Sequence, residues 1–170
     1  MKKFCFIVLA VVLLSIRTNA QHITVVKDYK YISSIPQLLS EVKGRFIFLD
    51  LWAPWCEPCK EKFKYSDMLY KELKKRKITV LYVSLNSNVK EDEWKDDINN
   101  FKLKGVHVLA SKQLEDSLTK KIWGHSGGYS IPRYLLLDST GKILIADAPA
   151  PDQKIILLSE IDKDISAYGR

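Results

Sequence analysis

Arg45-Phe-Ile-Phe-Leu-Asp50-Leu-Trp52-Ala-Pro-Trp55-Cys56-Glu57-Pro58-Cys59-Lys60 is the stretch on which the reading of this chain turns. Its first half, Arg45 to Trp52, is a near-continuous apolar run, as in a strand buried on both faces. Its second half carries two cysteines spaced C-x-x-C and opens a segment where Tyr65, Met68, Leu69 and Leu73 recur at helical spacing between lysines and glutamates. A helix is therefore expected from Cys56 to about Arg76. A cysteine at the start of such a helix meets unpaired backbone N–H groups and the positive end of the helix dipole. That setting favours the thiolate, the form that attacks a disulfide. Cys59 falls one turn further on the same face, close enough to resolve a mixed disulfide. Pro58 lies in the first turn, where its missing N–H costs nothing and its fixed φ stiffens the loop.

Outward from this stretch the elements alternate. Ile35 to Val42 reads as a short helix ended by Gly44, and Ile78 to Leu85 as a second buried strand. Glu91 to about Leu103 and Gln113 to Trp123 read as amphipathic helices, with Val106 to Ala110 a short extended piece between them. Tyr134 to Asp138 and Lys142 to Ala146 are expected to pair as a hairpin across Ser139-Thr140-Gly141. A closing helix runs from Asp152 to about Ala167, with Pro151 before it. This order predicts an α/β sandwich: a central mixed sheet, parallel at its centre and antiparallel at one edge, with helices on both faces.

The chain has 170 residues. Lys2 and Lys3 precede an apolar run from Phe4 to Ile16, and Thr18-Asn19-Ala20 follows. This reads as a signal peptide over residues 1–20. The run is shorter than the roughly 20 residues a spanning helix needs, although an uncleaved N-terminal anchor is the competing reading. Cys5 lies at the start of the apolar run rather than after it, which argues against a lipoprotein. Residues 21–170 contain no linker or internal repeat and read as one exported domain, periplasmic or equivalent.

The formal charge is +7, part of it from Lys2, Lys3 and Arg17. The remaining lysines are interleaved with acids, most densely from Lys71 to Lys77, which describes a solvated helix face and not a nucleic-acid site. Without Cys5, the cysteines left are Cys56 and Cys59, and in an exported protein such a pair implies one disulfide. A disulfide closing so small a loop constrains the unfolded chain little, so it is a poor staple and a better redox switch. The competing readings are an inert disulfide and half of a zinc site. Zinc needs four ligands, and His22, His107 and His125 have no ligand spacing to the cysteines, so no metal is expected.

The segment Trp52-Ala-Pro-Trp-Cys-Glu-Pro-Cys-Lys60 after an apolar strand resembles the thioredoxin superfamily. With an export signal and Cys-Glu-Pro-Cys, it is most similar to the TlpA/ResA-like thiol-disulfide oxidoreductases of bacterial envelopes. Ile131-Pro132, followed by Tyr134-Leu-Leu-Leu-Asp138-Ser-Thr-Gly141-Lys142-Ile, looks like the family's cis-proline loop, strand, turn and strand. The resemblance implies a thioredoxin-like sandwich. It also implies a cis Pro132 held against the Cys56 sulfur, with the Ile131 backbone pairing to an extended substrate segment.

By the same resemblance Asp50 is buried behind the disulfide and relays a proton to Cys59; burial raises its pKa toward the range of a general base. The alternative is a strand-end aspartate facing solvent. Many thioredoxins place a lysine beside this carboxylate, whereas the matching position here is Ser84, which leaves Asp50 without a cation. Glu57 disfavours the Cys56 thiolate by like-charge repulsion and so makes the dithiol a better reductant, while Lys60 pushes the other way. Arg133 replaces the usual threonine, either to favour acidic substrates or as a surface residue. Trp52 is read as packing under the loop and Trp55 as exposed beside Cys56.

The expected function is reduction of disulfides in exported proteins by dithiol–disulfide exchange, with no organic cofactor. Cys56 attacks, Cys59 resolves, Asp50 moves the proton and Pro132 shapes the groove. The chain is expected to act as a monomer; the resemblance implies a membrane thiol donor that re-reduces it, and suggests cytochrome c maturation as a pathway. Three alternatives stand beside it: a DsbA-like thiol oxidase, a thiol peroxidase, and a non-catalytic envelope binding domain with a vestigial disulfide. The peroxidase segment Pro-x-x-x-Thr-x-x-Cys is not matched, since Cys59 is preceded by Cys56 and Trp52 at those places.

Overall fold

The computed structural model describes residues 23–85, 88–125 and 128–168. The expected signal segment lies outside the described residues. Among the described residues six strands form one sheet: β1 (Ile23–Val25), β2 (Phe46–Trp52), β3 (Ile78–Ser84), β4 (Gly105–Leu109), β5 (Arg133–Asp138) and β6 (Ile143–Ile145). The helices are α1 (Ile35–Ser40), α2 (Glu57–Phe63), α3 (Ser66–Lys75), α4 (Glu91–Asn100), α5 (Lys112–Trp123) and α6 (Lys154–Tyr168). Short 3-10 turns lie at Tyr29–Tyr31 and Pro151–Gln153.

The strand order is β1-β4-β3-β2-β5-β6. The first four run parallel, while β5 and β6 add an antiparallel edge. Both faces are covered. Leu49, Leu135 and Leu137 meet Ile35, Leu38 and Leu118 of α1 and α5. On the opposite face Trp52 and Tyr82 meet Phe63 of α2. This explains the near-continuous apolar run of β2: it has a strand on each side and helices above and below, and every one of its residues is buried, Asp50 included.

The structure departs from the sequence reading in three places. The helix expected from Cys56 to Arg76 is two helices, interrupted at Lys64–Tyr65. Phe63 ends α2 inside an aromatic cluster with Trp52, Tyr82 and Phe101, while α3 buries a face of its own with Leu69, Tyr70 and Leu73. The short extended piece after residue 105 is a full strand: β4 pairs in parallel with β3, Val83 against Val108. Beyond it lies β1, a three-residue edge strand absent from the sequence reading.

The hairpin of β5 and β6 is held by Asp138. Its carboxylate accepts the Thr140 N–H at 2.8 Å, the Lys142 N–H at 3.0 Å and the Tyr168 hydroxyl. The last bond ties the end of α6 to the sheet.

Candidate active site

β2 delivers the chain to the C-terminal end of a central strand at Trp52, and the next four residues turn it into α2. Cys56 is the N-cap of that helix, with extended φ and ψ of −87° and 91°, and its N–H donates to Ala53 O at 2.9 Å. Cys56 and Cys59 are joined by a disulfide with their Cα atoms 5.3 Å apart. The Cys59 N–H points at the Cys56 sulfur, 3.2 Å away. The same N–H lies 3.1 Å from Cys56 O, so it is shared between that carbonyl and the sulfur that the first helical turn sets beside it.

Both sulfurs are recessed: Cys56 is 3% exposed and Cys59 1%. Trp55, immediately before them, is 54% exposed, while Trp52 is fully enclosed and packs edge-on against Phe63 at 5.1 Å. The two tryptophans flanking the loop thus divide into a floor and a rim. Pro58 sits exposed in the first turn of α2. Glu57 is exposed and lies 3.4 Å from Lys60, which also faces Asp97 of α4 at 3.6 Å.

Asp50 lies two residues before Trp52 and so on the same face of β2. It is buried, between Tyr82 of β3 and Tyr134 of β5 in the cross-strand register. One carboxylate oxygen, Oδ1, has no hydrogen-bond partner within the described protein, and burial pushes the group up to about 8. The solvent-facing alternative is therefore not the arrangement found. Ser84 pairs with Trp52 and Tyr82 with Asp50, so the neighbour across from the carboxylate is an aromatic ring, not a cation.

The antiparallel register sets Arg133 opposite Leu51, which carries Ile131 and Pro132 alongside the end of β2 where the cysteine loop begins. The Ile131–Pro132 peptide is cis, and both residues are half-buried. Arg133 is held by its own protein. It lies 3.1 Å from Asp147, its Nε donates to Ala146 O at 3.1 Å, and its guanidinium stands over Trp123. Of its two readings, a surface residue anchored in place fits these contacts.

One buried group was not picked out by the sequence reading except as a rejected zinc ligand. His107 of β4 is completely enclosed, stacked on Tyr82 with centroids 4.9 Å apart and planes 3° from parallel. Its Nε2 lies 2.8 Å from Leu103 O; a carbonyl only accepts, so Nε2 carries the hydrogen. Burial lowers its pKa to about 4. No local pattern marks it: alternation sets His107 on the face opposite Val106 and Val108, and its burial comes from Tyr82 of the neighbouring strand β3.

A mixed sheet whose central strand runs into a C-x-x-C disulfide at a helix N-terminus, with an X-Pro segment beside it, defines the thioredoxin-like fold. The chain belongs to the Redoxin family, which matches it over residues 33–165. It is similar to the thiol-disulfide oxidoreductase ResA of Bacillus thuringiensis (strain Al Hakam), 27% identical over 106 residues, which are 62% of this chain and 56% of that protein. Against ResA of Bacillus subtilis (strain 168) it is 38% identical over 50 residues, 29% of this chain and 28% of that protein. The chain thus spans about half the length of the first of these relatives. Among solved structures, a thiol-disulfide oxidoreductase from Bacteroides fragilis NCTC 9343 superposes with TM-score 0.54 at 28% identity, covering 70% of this chain and 80% of that one. The thioredoxin domain of a thiol-disulfide oxidoreductase from Bacteroides vulgatus shares the fold, with TM-score 0.55 at 24% identity over 71% of this chain and 79% of that one.

Proposed function

We propose that the chain is a thiol:disulfide oxidoreductase that reduces disulfides in exported proteins. The observation that supports this most directly is the Cys56–Cys59 bond at the head of α2, with the Cys59 N–H directed at the Cys56 sulfur. In the reduced protein that N–H is a ready donor to a Cys56 thiolate.

In the proposed cycle the Cys56 thiolate attacks one sulfur of a substrate disulfide. The substrate S–S bond breaks, a Cys56–substrate disulfide forms, and the released substrate thiolate takes up a proton. Asp50, as carboxylate, accepts the proton of the Cys59 thiol through the space behind the disulfide. The Cys59 thiolate then attacks the Cys56 sulfur and expels the second substrate thiolate. Two electrons have passed to the substrate, and the protein is left as the Cys56–Cys59 disulfide. A dithiol donor must return those electrons, and we assign that role to a membrane thiol carrier. Ile131 and Pro132 would line the path of the substrate chain. Cytochrome c maturation is the pathway that the resemblance to envelope oxidoreductases suggests. Glu57 supports the reducing direction, since its charge disfavours the Cys56 thiolate and so destabilises the dithiol relative to the Cys56–Cys59 disulfide.

The test is the equilibrium reduction potential of Cys56–Cys59, followed by tryptophan fluorescence against a thiol couple. A value near or below about −250 mV is expected of a reductant, whereas one near about −120 mV would make the protein an oxidant. A Cys59→Ser variant expressed with its export signal should accumulate mixed disulfides with envelope proteins. Finding none would leave the disulfide without an exchange role.

A further inference from the structure

The recessed disulfide opens beside a groove of about 460 Å³ between the cysteine loop and α4. Pro54, Trp55 and Val89 form its apolar side, and Glu93, Asp96 and Asp97 its acidic side. We propose that this groove receives the partner polypeptide during exchange and favours a partner that carries lysine or arginine next to its reacting cysteine. The inference rests on the exchange reading above and deepens it by naming the substrate class.

Access is the first argument. With Cys56 only 3% exposed, a substrate sulfur reaches it only when the flanking substrate residues settle against the walls around it. Trp55 is the large exposed side chain of the motif, so it is the surface those residues meet first.

Charge is the second. The two lysines of the groove are already engaged, Lys60 with Glu57 and Asp97, and Lys90 with Glu93 at 3.4 Å. Four carboxylates, counting Glu57, face these two ammonium groups, on a chain whose formal charge is +7. Asp96 has no ion pair among the described residues. Asp97 is pushed above the ordinary carboxylate range, by burial first, with Glu57 and Asp96 acting in the same direction against Lys60. The groove is therefore locally anionic on a cationic protein. An exposed indole rimmed by carboxylates that outnumber their ammonium partners suits an alkylammonium or guanidinium, which can lie over the ring and pair with the acids together.

The global charge of the chain would by itself favour acidic partners, so the two influences predict opposite outcomes. The test uses the reduced full-length protein and two disulfide-linked peptide dimers, identical except for lysine or glutamate beside the cysteine. Uncharged hydroxyethyl disulfide serves as a third substrate. The lysine peptide should be reduced on the order of tenfold faster than the glutamate peptide at low salt, with the ratio shrinking as salt is added. Replacing Glu93 by Gln and Asp96 by Asn together should remove most of that preference. Equal rates, or a faster glutamate peptide, with hydroxyethyl disulfide still reduced, would overturn the groove assignment and leave the exchange function standing. A lysine preference that survives both substitutions would also overturn it. No reduction of any of the three disulfides would remove the exchange function itself.

Discussion

Replacing Asp50 by Asn isolates the cost of ionising a carboxyl at the centre of the sheet. In the unfolded chain this group ionises near 3.8; in the folded protein it keeps its proton up to about 8, because burial removes the water that would solvate the charge. The folded state therefore binds the extra proton throughout that interval. Its stability falls as pH rises above about 4 and levels off above about 8. At about 1.4 kcal/mol for each tenfold change in proton affinity, the full span weighs about 6 kcal/mol. That is a large share of the 5–15 kcal/mol typical of a domain. Asparagine has nearly the same shape and a similar unmet polar atom, but no proton to lose. The assay is guanidinium unfolding of the oxidised protein and of the Asp50→Asn variant at a series of pH values from about 4 to about 9. The two should be nearly equal at the acid end. The variant should then gain on the parent steadily, by up to about 6 kcal/mol at the alkaline end. A stability difference that does not change with pH would refute the reasoning, because it would mean that the buried carboxyl is solvated or paired in the folded state.

Two further perturbations probe the sheet around the site. His107 has the opposite linkage: its pKa is lowered from 6.5 to about 4 by burial, so the stability it confers is present above 6.5 and is lost as pH falls toward 4. The loss amounts to about 3 kcal/mol, and it should be absent in a His107→Phe variant that keeps a ring against Tyr82, as read by unfolding midpoints across that window. Gly105 opens β4 at φ +148°, and a Cβ there would stand 2.7 Å from Val80 O. Gly105→Ala should cost about 1–3 kcal/mol by prising β4 from β3, measured as a lowered denaturation midpoint with an unchanged slope.

The cysteine pair, the strand before it and the hairpin after it were legible in the sequence because each is a local pattern. Arg45 to Trp52 is a near-continuous apolar run, Cys56 and Cys59 are one helical turn apart, and Ser139-Thr140-Gly141 separates two short apolar runs. Cys56 as N-cap follows from that order alone. The helix break at Lys64–Tyr65 was not legible, since helical spacing continues across it and only the anchoring of Phe63 in an aromatic cluster reveals two separate helices. β1 was missed because three residues are too few to show a period, and their extended form depends on pairing with β4.

The site itself divides the same way. That Asp50 is a strand aspartate near the cysteines is written in the chain. That it is buried between Tyr82 and Tyr134 depends on which strands flank β2, and those partners lie far away in sequence. The acidic wall beside Trp55 likewise comes from α4, dozens of residues after the cysteines. Sequence periodicity reports how each segment meets its immediate surroundings, and so it determined the elements and the reactive pair. Burial and local charge are sums over neighbours from the whole chain, so the proton affinity of Asp50, the neutrality of His107 and the sign of the groove were decided only when the sheet order β1-β4-β3-β2-β5-β6 brought those neighbours together.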